Sequence, residues 1–391
     1  MTRETCPGRA VVWGAGGVGR GFIGHLLCRS GFIPSFVDVN DSLVRQINER
    51  GEYVVRLAKE GEQEERVGPV EACTLSELER IQDWMSRSDL IFTAVGAAAL
   101  DSIAPLVAAG LRARWSRGIS QPCNLFLCEN LHQVGPLFKE KVASCLSEPV
   151  REEILSRTGF SGVVVGRMIP VLPQGMGQED PLLVLAEDYW NLPVDAQGTI
   201  APVPQVEGMV LAEDFPAEEA RKLYTHNMLH AASAYHGYLF GHTWIAQATM
   251  DERILTELEQ AARESNAGLL ASYDLDEEVQ RGYAATLLER FKNPFLLDTV
   301  LRVGRDPMRK LRSSDRLIGA ARLALNAGVI PQALVSAIVA AFRFDPKEDR
   351  SAQELQQRLH DEGIRGVLQG VCGLFPDDPL FDLVLQAWEG G

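Results

Sequence analysis

The sequence predicts an α/β domain built on a mostly parallel sheet, followed by an all-α domain. Three observations carry that expectation. Strand-sized, continuously apolar runs alternate with helix-length segments in the first half, and a glycine-rich turn follows the first run. From Glu218 onward the chain is rich in Ala, Leu, Glu and Arg and has few β-branched runs. Strands apolar on both faces belong to sheets covered by helices on both sides. The 391 residues suit two domains, at about 100–200 residues each. The Pro- and Gly-containing stretch NLPVDAQGTIAPVP places the expected division between 1–195 and 196–391.

Taken in order, AVVW (10–13), PSFVD (34–38), LIFTAV (90–95) and CNLFLC (123–128) read as the principal strands. VVVGRMI (163–169) and LLVLAE (182–187) read as further ones. In the second half the punctuation is helical: Ser313 and Ser314 precede DRLIGAARLALNA, Gly328 follows it, and Pro331 opens the next helix. Residues 51–70 and the last thirty carry no motif.

Composition narrows the class of ligand. With 46% hydrophobic residues the chain buries a sizeable core. A formal charge of −15 argues against a general nucleic-acid or anionic-membrane binder, because both need dense Lys/Arg surfaces. No nucleic-acid or membrane partner is therefore expected, although a small anion held by local groups is compatible. The seven cysteines include no C-x-x-C pair, so neither a zinc ribbon nor a disulfide framework is implied. The start has no long apolar run of the signal-peptide kind, and LIFTAVGAAAL stops at Asp101, near half a membrane span. The expectation is a cytoplasmic protein, as a monomer or small homo-oligomer.

Directly after the first strand comes Gly14-Ala-Gly16-Gly17-Val-Gly19, a G-x-G-x-x-G pattern. Gly14 permits the tight turn, Gly16 lets the backbone approach a pyrophosphate, and Gly19 lets the following helix pack close to the strand. That helix ends at Gly31, and its positive N-terminus faces the phosphates. The second strand ends in Asp38, nineteen residues after Gly19. An acid there accepts from the ribose hydroxyls and repels a 2′-phosphate, which favours NAD over NADP. The order strand, glycine turn, helix, strand and acid defines a Rossmann-type domain. Gly14, Gly16, Gly17, Gly19 and Asp38 are its candidate NAD contacts, with Val95 and Gly96 at the end of LIFTAV as a second backbone edge.

The most informative segment of the second half is Glu218-Glu-Ala-Arg-Lys222-Leu-Tyr-Thr-His-Asn227-Met-Leu-His230, opened by Asp214 and Pro216 as a helix start. On an α-helix, at about 100° per residue, His226, His230 and Asn227 lie roughly 40°, 80° and 140° from Lys222. One face thus carries an amine, an amide and two imidazoles, costly to bury unless they face a cleft or one another. A desolvated lysine releases its proton more readily and serves as a base near neutral pH. The i,i+4 histidines also have a zinc spacing, but no adjacent acid or cysteine completes a site, and no metal is expected.

Lys222-x4-Asn227-x2-His230, together with GAGGVGRGFIG, FVDVN, TAVG and CEN (128–130), resembles the long-chain polyol dehydrogenases, the mannitol dehydrogenase family, over nearly the whole chain. The resemblance implies a metal-free NAD-dependent oxidoreductase with a lysine acid/base. Carried over by position, Lys222 takes the proton from the polyol hydroxyl, and Asn227 and Asn130 donate to the developing alkoxide. His230 positions the substrate.

Residues 302–316, RVGRDPMRKLRSSDR, hold six basic and two acidic residues, a local +4 that leaves −19 for the remainder. The run GR-x-P-x-RKL resembles the part of phosphate-specific family members that meets a sugar phosphate, which nominates Arg305, Arg309 and Lys310. One departure stands out: Gly166 precedes Arg167 where the family has an aspartate. The expected reaction is interconversion of mannitol 1-phosphate and fructose 6-phosphate. The alternatives are an unphosphorylated polyol or uronate substrate, and a dinucleotide-binding sensor without turnover.

Overall fold

The computed structural model describes residues 8–61, 63–172 and 180–390. The chain divides into two compact units, Met1–Glu218 and Glu219–Gly391. The division falls later than the expected 195/196 because strand pairing continues past that point.

Among its described residues the first unit holds eleven strands: β1 (Arg9–Trp13), β2 (Ile33–Asp38), β3 (Tyr53–Leu57), β4 (Glu64–Val67), β5 (Glu71–Thr74), β6 (Leu90–Thr93), β7 (Cys123–Leu127), β8 (Thr158–Gly162), β9 (Val184–Ala186), β10 (Leu192–Asp195) and β11 (Met209–Ala212). Six form one sheet in the order β5-β2-β1-β6-β7-β8, with every pair parallel. The expected Rossmann-type architecture is present. Strands β1, β2, β6 and β7 are largely apolar because successive residues enter two cores. Ala10, Val12, Phe36, Leu90, Phe92 and Phe126 belong to one, and Val11, Trp13, Val37, Ile91, Leu125 and Leu127 to the other.

The helices Leu78–Arg87, Leu100–Ser116 and Val134–Ser144 close the second core through residues such as Trp84, Val107 and Phe138. The first core is closed by Phe22, Leu26 and Ile47 from helical segments, and by Tyr53, Val55 and Val184 from a small sheet ordered β4-β3-β9. That sheet accounts for the motif-free segment 51–70.

One strand expectation and the domain division need correction. The sixth strand of the main sheet is Thr158–Gly162, whereas 163–169 is not a strand and makes one isolated bridge, Val163 to Val194. The true strand escapes a hydrophobicity reading because its sequence, TGFSG, has one large apolar residue. Its glycines are demanded by packing: a Cβ on Gly159 would lie 2.0 Å from Asn124 Oδ1. Likewise, β11 pairs in parallel with β10, which keeps residues 192–212 in the first unit.

The second unit is helical. Its segments include Met228–Leu239, Glu252–Ser272, Glu277–Phe291, Val300–Gly304, Pro307–Lys310, Ile318–Asn326, Gln332–Phe342, Arg350–Gly370 and Pro379–Gly390. Gln332–Phe342 is its buried centre, with Leu334, Ile338 and Phe342 inaccessible to solvent. Gly328 ends Ile318–Asn326 at φ 77°, and Pro331 precedes the next helix as expected. Ser313 and Ser314 lie in turns before Ile318 rather than capping it. No described helix is long and apolar enough to cross a membrane, and no disulfide joins the described cysteines.

Candidate active site

In the first unit, the candidate cofactor residues gather at the carboxyl ends of β1, β2, β6 and β7. There the strand order reverses between β1 and β6, the switch point where open α/β sheets bind ligands. Gly14 adopts φ 94°, and a Cβ there would lie 2.5 Å from Ala94 O. A Cβ on Gly19 would lie 1.9 Å from Gly14 O, so only glycine lets the helix start this close to the turn. Gly16 is exposed, with nothing within 4 Å of its Cβ position. That open approach is what a pyrophosphate needs. Gly17 is exposed too and faces Ile169.

Asp38 ends β2 and accepts from Ala15 N–H of the glycine turn at 2.6 Å and from Asn40 N–H at 2.9 Å. It therefore braces the turn as well as standing where a ribose would be read. Val95 and Gly96 follow β6, and Gly96 takes φ 84°. The sequence reading passed over the residue that holds them. Glu129, 5% exposed, accepts from Thr93 Oγ1 at 2.5 Å and from Val95 N–H at 3.0 Å. Burial raises its carboxyl above the ordinary range, although both donors pull the other way. Asn130 follows it and is exposed. A buried acid ending an apolar strand was the available signal.

Arg167 is 4% exposed and serves the architecture of this unit. It donates to Glu187 O at 2.6 Å and Gly21 O at 2.9 Å, and its guanidinium lies 4.4 Å from the Trp190 ring centre. Burial lowers it to about 10, although Glu187, Asp188 and Glu65 pull the other way. The Gly166 departure thus stands beside a brace between two segments. A Cβ at Gly166 would meet Tyr189 Cε1 at 3.2 Å.

In the second unit, the lysine segment is a helix of three parts. Phe215–Arg221 is α-helical, Lys222–Asn227 is a π-helical turn, and Met228–Leu239 is α-helical again. Asp214 accepts from Ala217 N–H at 3.1 Å and so caps the start. Lys222, Asn227 and His230 are partly exposed, whereas His226 is buried. The two imidazoles lie 6.0 Å apart, and His230 stacks on Phe291 at 4.7 Å. Burial lowers both histidines, His226 the further, because Arg290, His230 and Lys222 add to the effect there.

His230 Nε2 lies 3.1 Å from Asp298 Oδ2, an ion-pair separation outside hydrogen-bond alignment. Asp298, 5% exposed, is clamped by Arg302, whose Nε and Nη2 both donate at 2.6 Å. Burial opposes its charge, yet His230 and Arg302 outweigh that and hold the carboxyl below its ordinary range.

The basic island opens a cavity of about 280 Å3 lined by His230, Arg302, Arg305, Asp306, Arg309, Lys310 and Arg316. Its size suits a small polar group, below the usual 300–1,000 Å3 of drug-sized pockets. Arg309 Nε donates to Asp306 at 2.7 Å, and Arg316 Nε donates to Asp315 at 2.8 Å. Arg305 is exposed and makes no ion pair among the described residues.

Lys310 lies differently from expectation. It is 5% exposed, and its Nζ donates to Val303 O at 2.5 Å and to Arg305 O, tying the turn together. Burial, with Arg316 and Arg309 nearby, brings it down to about 7. Arg302 and Arg316 line the cavity although the sequence reading did not select them. Among the described residues, no group of three His, Cys, Asp or Glu is placed to hold a metal.

The first unit thus carries a Rossmann-type glycine turn, and the second a helix that bears an amine, an amide and two imidazoles. The chain belongs to the mannitol dehydrogenase family. Residues 8–208 match the mannitol dehydrogenase Rossmann domain, and residues 215–369 the mannitol dehydrogenase C-terminal domain. It is an NAD-dependent dehydrogenase.

Relatives include mannitol-1-phosphate 5-dehydrogenases of Bacillus licheniformis, 37% identical over 96% of this chain and 98% of the relative, and of Bacillus pumilus, 38% identical over 97% and 99%. Among solved structures, the fold is shared with a D-sorbitol dehydrogenase at TM-score 0.76 and 14% identity, covering 97% of this chain and 91% of that one. It is shared also with Pseudomonas fluorescens mannitol 2-dehydrogenase, solved with NAD and D-mannitol, at TM-score 0.73 and 15% identity, covering 99% and 92%.

Proposed function

We propose that this enzyme interconverts mannitol 1-phosphate and fructose 6-phosphate, with Lys222 as acid/base and no metal. The observation that carries the phosphate is the cavity joining His230 to Arg302, Arg305, Arg309 and Arg316 within one unit. Guanidinium groups hold phosphate oxygens through paired, charge-assisted hydrogen bonds. The relatives' names point the same way.

NAD, when bound, supplies the acceptor for the hydride leaving the carbinol carbon. The open Gly16 edge, the Gly14–Gly19 turn and Asp38 would hold it. Lys222 Nζ takes the hydroxyl proton in oxidation and returns it in reduction. Asn227 and Asn130 donate neutral hydrogen bonds to the oxygen as its negative charge develops, stabilising it without titrating. His230, seated on Phe291, fixes the sugar chain relative to the phosphate grip.

The test is NADH oxidation with fructose 6-phosphate, fructose, fructuronate and tagaturonate. Preference for fructose 6-phosphate is expected. Activity on fructose without activity on its phosphate would overturn the substrate assignment.

A further inference from the structure

The lysine helix does not run as a plain α-helix between its functional groups. A π turn spans Lys222–Asn227, and π turns within α-helices recur at functional sites. An i→i+5 turn takes up one more residue than an α turn, so each residue advances by roughly 80–90° instead of about 100°. Across Lys222–Asn227 this draws Asn227 from roughly 140° to roughly 40–90° from Lys222, and His230 from roughly 80° to within about 30°. The extra residue gathers the amine, the amide and the imidazole onto one narrow face.

The neighbouring helices carry a polar brace for this turn. Ser265, on Glu252–Ser272 and inaccessible to solvent, donates its hydroxyl to Tyr224 O at 2.6 Å. Gln280, on Glu277–Phe291 and also inaccessible, donates from Nε2 to Thr225 Oγ1 at 2.9 Å and to Asn266 Oδ1 at 2.8 Å. Its Oε1 has no hydrogen-bond partner. A buried amide left half-satisfied is costly and persists where it serves something besides stability. Both braces grip the middle of the turn, at Tyr224 and Thr225.

We infer that Gln280 and Ser265 are positioning residues that hold the π turn and so set the angle between Lys222 and its partners. The inference rests on the proposed role of Lys222. Gln280→Met keeps length and volume while removing both donors, and Ser265→Ala removes the second brace should the first variant fail to fold. A displacement of about 1 Å in a catalytic group costs up to about a hundredfold. Each variant is therefore expected to lose about ten- to a hundredfold in kcat, with KM and the Kd for NADH changed less than about twofold.

Ile338→Val, in the buried helix Gln332–Phe342, serves as a control of lowered Tm and is expected to keep wild-type kcat. In a Lys222→Ala background, Gln280→Met should cost nothing further. Wild-type kcat in both brace variants despite lowered Tm, or an undiminished loss in the Lys222→Ala background, overturns the inference. Wild-type turnover in Lys222→Ala alone instead refutes the lysine assignment, so the two failures are told apart.

Discussion

Arg305→Ala isolates the phosphate grip from everything else in the cavity. The other guanidiniums are internally engaged: Arg302 with Asp298, Arg309 with Asp306 and Asp315, and Arg316 with Asp315. Removing one of them frees a carboxylate beside the ligand, so lost attraction and new repulsion would be read together. Arg305 is exposed and unpaired among the described residues, so its loss leaves no orphaned charge.

A hydrogen bond to a charged group contributes about 1.5–3 kcal/mol, and about 1.4 kcal/mol is tenfold in binding. KM for fructose 6-phosphate should therefore rise roughly ten- to a hundredfold, while kcat/KM for fructose stays within about twofold. Stability should shift by less than about 0.5 kcal/mol, as for an ordinary surface substitution. Steady-state NADH oxidation on the two ketoses, with a thermal melt of each protein, supplies all three numbers. Equal losses on fructose and its phosphate, or no loss on either, would refute the assignment of Arg305 to the phosphate.

Three further outcomes follow from the same geometry. Lys222→Ala should lose about two to four orders of magnitude in turnover, the range of a general base, checked by single-turnover hydride transfer with NADH binding measured separately. Asp38→Ala should relax discrimination against NADP and also weaken NAD, because Asp38 braces Ala15 N–H of the turn; unchanged cofactor ratios would remove it from ribose recognition. Acid should destabilise the fold through His236, which burial brings down to about 4. Between that value and about 6.5 the unfolded chain binds the extra proton, so stability declines as pH falls across the window, by about 3 kcal/mol in all. His236→Leu should flatten this limb in urea midpoints taken from pH 7 to 4, and an unchanged slope would refute it.

Much of the fold was legible because the principal strands, β1, β2, β6 and β7, obey one rule: largely apolar on both faces, each followed by a helix. The strand that broke the rule, Thr158–Gly162, was misplaced by a few residues, since its place is set by close contacts such as Gly159 against Asn124. Spacing also picked out the glycine turn, where each glycine answers a different contact. What spacing leaves out is how charges are shared. Lys310 looked like a ligand because it is basic and sits in a basic run, yet its amine is engaged with Val303 O and Arg305 O. Asp298 and Arg302, an i,i+4 pair, close a chain to His230 that no motif names.

The two units share one device that sequence periodicity hides. In the first, the helix after the glycine turn begins with a π-helical segment, Gly19–Gly24, and the hydroxyl of buried Tyr53 donates to Arg20 O at 2.7 Å. In the second, the π turn at Lys222–Asn227 receives Ser265 on Tyr224 O. A wider turn leaves a helix carbonyl in need of a donor, and in both places a buried hydroxyl from another element provides it. The donors lie 33 and 41 residues from their acceptors, so local pattern carries no trace of the pairing. A one-residue widening also rotates every later side chain, which is why α-helical angles spread Lys222, Asn227 and His230 over an arc that the folded turn draws together. Where chemistry requires several polar groups on one face, a turn held open by distant hydroxyls brings them there without altering the residues themselves.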